Sequence, residues 1–133
     1  KETMKFYSLG QYYFAIGENE KALESLIRVK SDYFLYKKDL KNLIFRIYYN
    51  LGYFEEAFTV LDNLKHYLTN TKDLSDKIKI VSMKFVKYAN QLLKLKTGNK
   101  NESPDFLIKS LESEQDTESF EWLLENAKVL KKK

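Results

Sequence analysis

One stretch of the chain occurs twice in related form, and this repeat constrains the fold more than any other feature. Residues 17–29 read GENEKALESLIRV, and residues 52–64 read GYFEEAFTVLDNL. A shift of 52 − 17 = 35 residues aligns the two glycines and overlays Ala22 on Ala57. A repeat of this length is typical of stacked helical hairpins. Each copy predicts a tight turn at glycine, followed by a helix whose small alanine allows close packing.

The composition favours helices over strands. Of the 133 residues, 44% are hydrophobic, and a single proline and four glycines leave long uninterrupted segments. We therefore expect one all-α domain over residues 1–133, with no segment that spans a membrane. No signal peptide is visible, so we expect a cytoplasmic location. Because the first residue is not Met, we expect that an upstream part is missing and that this is the C-terminal part of a longer protein.

The charged residues favour a solvated surface. The net charge of +4 comes almost entirely from lysine, because arginine occurs only as Arg28 and Arg46. Proteins that read nucleic acids usually cluster arginine and lysine on one face, whereas these lysines alternate with acidic residues. Nucleic-acid binding is therefore unexpected, although a weak lysine-mediated contact stays an alternative. The absence of cysteine excludes disulfides, thiol catalysis and the usual structural zinc ligands.

Apolar residues at spacings of three and four predict seven helices. Short polar side chains predict where the later ones begin: Asp73 or Ser75 for the fifth, Ser103 before Pro104 for the sixth, and Thr117 for the seventh. On the fifth helix, Ile78 belongs to the main apolar stripe and Ile80 to a second one. The helices are expected over residues 2–15, 18–30, 34–50, 53–69, 73 or 75 to 96, 103 to 111 or 114, and 117–133.

The glycine, alanine and large apolar residues of the two copies, together with the aromatic and apolar residues of the helix before each, resemble the tetratricopeptide repeat. The second copy departs from the family pattern at Lys41, where an aromatic belongs, and at Phe45, where a glycine belongs and where the ring should push the helices apart. The resemblance covers residues 4–69 and implies two antiparallel hairpins in a short right-handed α-solenoid, with residues 70–133 as an irregular helical cap. The matching residues are Phe6, Leu9, Gly10, Tyr13, Gly17, Ala22, Leu26 and Val29, then Ile44, Tyr48, Gly52, Ala57, Leu61 and Leu64.

In proteins similar to this repeat, the concave face formed by the first helix of each hairpin binds the partner. The resemblance therefore implies a non-enzymatic scaffold or adaptor module that binds a peptide or protein segment. An arginine beside amides suits a carboxylate or a peptide backbone. The alternative is that the fifth helix or missing upstream chain fills this face. The implied concave-face residues are Met4, Tyr7, Gln11, Phe14, Asp39, Asn42, Arg46, Tyr49 and Asn50.

A second contact is predicted on the seventh helix. Trp122 and Val129 lie seven residues apart, on the side opposite the apolar stripe of that helix. They suggest a partner or homodimer contact, because Trp is enriched in binding hot spots. The alternative is that the helix is wedged between two others. The chain could equally be a structural end cap whose only contacts are to its own repeats or to another copy.

No catalytic constellation is visible in the sequence. His66 is the only histidine, and it lacks the cysteine, serine or second histidine that catalysis or metal binding would require. We expect it to be exposed on the fourth helix. The paired carboxylates Glu55 and Glu56 are commonplace on helix surfaces. The sequence therefore predicts neither an enzyme nor a cofactor.

Overall fold

Seven α-helices make up the protein as seen in a computed structural model, which describes residues 2–30, 36–99 and 103–132. Those ranges contain no β-strand, which confirms the all-α expectation. None of the helices described is long and apolar enough to cross a membrane. The helices are α1 (Glu2–Ala15), α2 (Asn19–Leu26), α3 (Lys37–Leu51), α4 (Phe54–Asn70), α5 (Asp76–Lys96), α6 (Pro104–Glu112) and α7 (Phe120–Lys131).

The two copies of the repeat end their first helices in the same way. Gly17 and Gly52 have φ angles of 82° and 79°, in the left-handed region that favours glycine. The amide of Gly17 donates to the carbonyl of Phe14, and the amide of Glu18 donates to that of Tyr13. The same pair of bonds recurs 35 residues later and closes the C-terminus of α3. Both helices thus stop at a Schellman motif, which requires the predicted glycine.

The chain folds into two compact units, Lys1–Leu64 and Lys65–Lys133. The boundary falls within α4, slightly before residue 69, where the predicted repeats end. In the first unit, α1 packs on α2 and α3, and α2 packs on α3. Ala22 and Ala57 are fully buried, as the repeat predicts. The core cluster of this unit consists of Tyr7, Ala22, Leu26, Val29, Leu40, Leu43 and Ile47.

In the second unit, α5, α6 and α7 pack against one another in pairs. The predicted N-caps of α5 and α6 are confirmed: Ser75 Oγ accepts from the amide of Ile78 at 3.2 Å, and Ser103 Oγ accepts from that of Phe106 at 3.1 Å. These bonds satisfy amides that lack a partner within the helix. The buried residues of this unit include Phe85, Tyr88, Leu92, Leu107, Leu111, Leu123 and Ala127.

The prediction that Thr117 caps α7 is wrong. Its hydroxyl donates to the carbonyl of Glu114 at 2.6 Å and so closes the preceding turn. The helix begins instead at Phe120, after Ser119, whose φ of 57° lies in the left-handed region. Thr117 lies three residues before the start of α7, so it belongs to the preceding turn and not to the N-cap position.

Two further expectations about helices need correction. α2 ends at Leu26 rather than residue 30, because the amides of Arg28 and Val29 donate to carbonyls three residues earlier and tighten the chain into a turn. On α5, Ile78 and Ile80 are 40% and 56% exposed, so they do not join the apolar stripe. Burial on that helix begins later, at Ser82. The predicted start of α3 at Phe34 lies outside the described residues.

Candidate functional site

The structure brings several of the predicted concave-face residues together on α1 and α3. The guanidinium of Arg46 lies 5.0 Å from the centroid of the Phe14 ring, and Arg46 Nε donates to Asn42 Oδ1 at 2.7 Å. Burial is the main cause that raises the pKa of Tyr7; Asp39 raises it further, whereas Arg46 and Lys38 lower it. These residues therefore share one electrostatic environment, although they come from two repeats.

Three of the predicted residues are buried. Tyr7 belongs to the core cluster, and its ring stacks on Tyr36 with centroids 6.2 Å apart. Asn42 is only 2% exposed, and it holds the side chain of Arg46 in place. Burial raises the pKa of Tyr49 to about 12, and its ring meets Phe54 edge to face. The direct role of this group is to shape the surface from beneath.

The remaining concave-face residues are accessible to different extents. Met4, Gln11 and Asn50 are exposed, whereas Phe14, Asp39 and Arg46 are half-buried. Asn50 Nδ2 also donates to Asn19 Oδ1 at 3.2 Å, and this bond links the second repeat to the turn of the first. The predicted surface therefore combines half-buried residues, such as Arg46 and Phe14, with exposed ones.

The second predicted contact lies on α7. Val129 is 49% exposed, whereas Trp122 is partly buried. The carbonyl of Trp122 accepts from Asn126 Nδ2 at 2.9 Å. The pair therefore offers one exposed aliphatic side chain and part of an indole.

Two grooves in the first unit, which the sequence did not predict, lie at positions that the 35-residue repeat makes equivalent. The first groove lies between α1 and α2 and encloses about 280 Å³; the second lies between α3 and α4 and encloses about 450 Å³. Most of the residues that line the first groove correspond to lining residues of the second 35 positions later, as Tyr13 corresponds to Tyr48. The first groove is lined by Phe6, Leu9, Tyr13, Lys21, Glu24, Ser25 and Arg28, and the second by Ile44, Tyr48, Glu55, Glu56, Thr59, Val60 and Asn63.

A network of charged and hydroxyl groups holds the loop between α6 and α7 against α5. Lys84 Nζ lies 2.9 Å from Asp116 Oδ1 and 3.2 Å from Glu114 Oε2. The hydroxyl of Tyr88 donates to Glu114, and that of Ser82 donates to Glu118. The bond from Tyr88, followed by that from Lys84, lowers the pKa of Glu114. A carboxyl with a lowered pKa is a poor proton donor near neutral pH, so this network favours a structural role over acid catalysis.

Metal binding finds no support in the described part of the chain, which contains no group of three or more His, Cys, Asp and Glu side chains placed to hold an ion. His66 is exposed on α4, as expected. Comparisons of the chain with protein-family models, curated proteins and solved structures find no match.

Proposed function

We propose that this chain is a non-enzymatic protein-interaction module, part of a longer helical-repeat protein of the cytoplasm. Its hairpins stack in the manner of tetratricopeptide repeats, as a short right-handed solenoid. The concave face on α1 and α3 binds a peptide or protein segment, and no cofactor takes part. A scaffold or adaptor needs only such a surface.

The observation that supports this proposal is the position of Arg46. Its guanidinium is half-buried, lies over the Phe14 ring and donates to the buried Asn42. A side chain restrained in this way loses little further entropy when it binds a ligand. Because guanidinium groups form strong charge-assisted hydrogen bonds with carboxylates, the preferred partner carries an acidic side chain or a free C-terminus.

The experiment is an affinity capture from source-cell lysate with Arg46→Ala beside the parent chain. Arg28→Ala is the matched control, because Arg28 lies over the Phe6 ring, 5.4 Å from its centroid, and outside the concave face. Both variants must keep the helical circular dichroism and the melting temperature of the parent. We expect a protein that the parent and Arg28→Ala retain and that Arg46→Ala loses. Equal capture by all three chains would contradict the proposal.

Self-association through α7 is the second candidate, because Val129 exposes an apolar side chain on the same face of the helix as Trp122. Sedimentation should then show twice the 15.8 kDa mass of the chain, and Trp122→Ala should return it to the single mass. A chain that stays monomeric and captures nothing would be a structural end cap. Binding that weakens steeply with salt would instead indicate a nucleic-acid contact.

A further inference from the structure

The first groove shows how this repeat covers its aromatic side chains. Lys21 Nζ lies 5.9 Å from the centroid of Tyr13, and the guanidinium of Arg28 lies 5.4 Å from that of Phe6. Both cations come from α2, and both rings come from α1. Cations at these distances are attracted to the ring face. The first hairpin therefore supplies its own cations to its own groove.

The second groove keeps one of the two rings, because Lys41 stands at the position of Phe6, and it has exchanged both cations. A shift of 35 residues places Tyr48 at the position of Tyr13, Glu56 at that of Lys21 and Asn63 at that of Arg28. Ile44, Tyr48 and Val60 are half-buried or buried, whereas Glu55 and Glu56 are exposed. Burial raises the pKa of Tyr48, and the charge of Glu56 raises it further. A carboxylate thus stands near the ring where the first repeat has an ammonium.

We propose that the second groove binds an extended segment of a partner protein that carries lysine or arginine. The partner's cation takes the place that Lys21 has in the first repeat, over the ring of Tyr48 and beside the carboxylates of Glu55 and Glu56. Its aliphatic stem, or a neighbouring apolar residue, packs on Ile44 and Val60. The pairing combines the attraction of a cation to an aromatic face with charge complementarity.

The length of the second groove limits how many residues of the partner segment it can hold. Glu56 and Asn63 are 63 − 56 = 7 residues apart on α4, which corresponds to about 10 Å along the helix. An extended chain covers that distance with about three residues. The second groove is also the larger of the two, at about 450 Å³ against about 280 Å³. A short basic motif fits better than a folded surface.

Glu55 and Glu56 also have a structural role that needs no ligand. Glu55 and Glu56 lie in the first turn of α4, where negative charge suits the helix dipole. That role explains their charge. It explains neither the larger volume of the second groove nor its apolar floor, and it does not account for the loss of the cation that Lys21 places over the ring of Tyr13 in the first.

This site is independent of the concave face. Ile44 and Tyr48 each lie two residues from Arg46, which places them about 200° around α3, on nearly the opposite side of the helix. A partner on the concave face and a basic segment in the second groove would therefore contact different surfaces. Either proposal can fail without the other.

The test is a titration of the ¹⁵N-labelled chain with two blocked peptides, Lys-Leu-Lys-Leu-Lys and Glu-Leu-Glu-Leu-Glu, followed by amide chemical shifts. We expect saturable shifts in residues 44–63 with the basic peptide alone. Shifts spread over the whole surface, equal shifts with both peptides, or no saturation at millimolar concentration would overturn the proposal. Shifts confined to α7, or a doubled mass, would indicate self-association instead and would also overturn it.

Variants distinguish binding in the second groove from a general attraction of the basic peptide to negative charge. Glu55→Gln with Glu56→Gln should weaken binding of the basic peptide at least tenfold. Glu121→Gln with Glu125→Gln is the matched control, because it removes the same charge from two exposed residues of α7. Glu56→Lys should abolish binding by placing a cation over Tyr48, as Lys21 lies over Tyr13. Melting curves must show that all variants fold. Equal weakening by both pairs would overturn the proposal.

Discussion

Gly10 of α1 and Leu26 of α2 are so close that no side chain fits at position 10. A Cβ added to Gly10 would lie 2.3 Å from Leu26 Cδ2 and 2.5 Å from Leu26 Cγ. Leu26 is 1% exposed and belongs to the core cluster, so it has little room to move aside. In the second repeat the position of Gly10 holds Phe45, which is fully buried. Whether that ring separates α3 from α4, as its size predicts, stays a prediction.

Gly10→Ala should lower the free energy of unfolding by about 1–3 kcal/mol, the usual cost of overpacking a core. The loss should occur even though alanine favours helices over glycine by about 1 kcal/mol. Urea denaturation measures it, with Ser8→Ala on the exposed face of α1 as the control. Adding Leu26→Val should recover part of the loss. A Gly10→Ala chain as stable as the control would show that α1 and α2 are not in close contact.

Gly52→Ala should cost about 1–2 kcal/mol for a purely conformational reason. The φ of Gly52 is +79°, yet nothing lies within 4 Å of a Cβ built there, so steric contact plays no part. Gly52→Asn should cost less, because asparagine tolerates this region better. Thermal unfolding measures both, and Gly17→Ala, at a φ of +82°, should match Gly52→Ala. Equal losses for asparagine and alanine would contradict this explanation.

Acid should destabilise the protein through Glu114 and Asp116. The hydroxyl of Tyr88 and then Lys84 lower the pKa of Glu114, and the bond from Lys84 lowers the pKa of Asp116. A carboxyl with a lowered pKa in the folded state favours folding above its unfolded pKa, and that contribution disappears as the pH falls through the folded value. Stability should therefore decline below the ordinary values of 4.5 and 3.8.

Denaturation at a series of pH values measures this decline. Glu114→Gln with Asp116→Asn should be less stable than the parent at neutral pH and should show a flatter profile in acid. Glu121→Gln with Glu125→Gln, which leaves the network intact, should keep the slope of the parent. The same slope in all three chains would mean that other carboxylates cause the acid response.

Alkali should destabilise the protein through two tyrosines. Burial raises the pKa of Tyr49 to about 12, and burial with the bond to Glu114 raises the pKa of Tyr88 to about 12, from an ordinary value of 10.0. A raised pKa favours folding below the unfolded value, and the contribution is lost between pH 10 and about 12. Phenolate absorbance and helical circular dichroism should change together there, and Tyr49→Phe should reduce the change. Two tyrosines that titrate at 10 without unfolding would refute this.

The sequence was sufficient for features that depend on a few neighbouring residues. The left-handed turns at Gly17 and Gly52 follow from a local need for positive φ. The caps at Ser75 and Ser103 follow from one hydroxyl and the amide three residues on. Such signals are contained in short segments, so they can be recognised without knowledge of the tertiary packing.

The features that the sequence did not predict depend on distant residues. Tyr49 and Asn42 share a helix face with Arg46, but only the packing of the unit shows that they are buried while Arg46 is half-buried. Thr117 is an exception, because its bond to the carbonyl of Glu114 is local: the same hydroxyl can cap a helix or close a turn, and the sequence alone does not decide between the two. The second groove could have been predicted from the sequence, because aligning the two repeats places Glu56 at the position of Lys21 and so reverses the charge there.

The helices in contact are close neighbours along the chain, and this has a consequence for folding kinetics. α1 packs on α2, α2 on α3, α5 on α6 and α6 on α7, and the remaining contacts, α1 with α3 and α5 with α7, skip only one helix. Chains dominated by such local contacts have low relative contact order and typically fold in microseconds to milliseconds. Little unpaired apolar surface should therefore persist during refolding, and stopped-flow experiments should find much of the helical signal already recovered at the first reading.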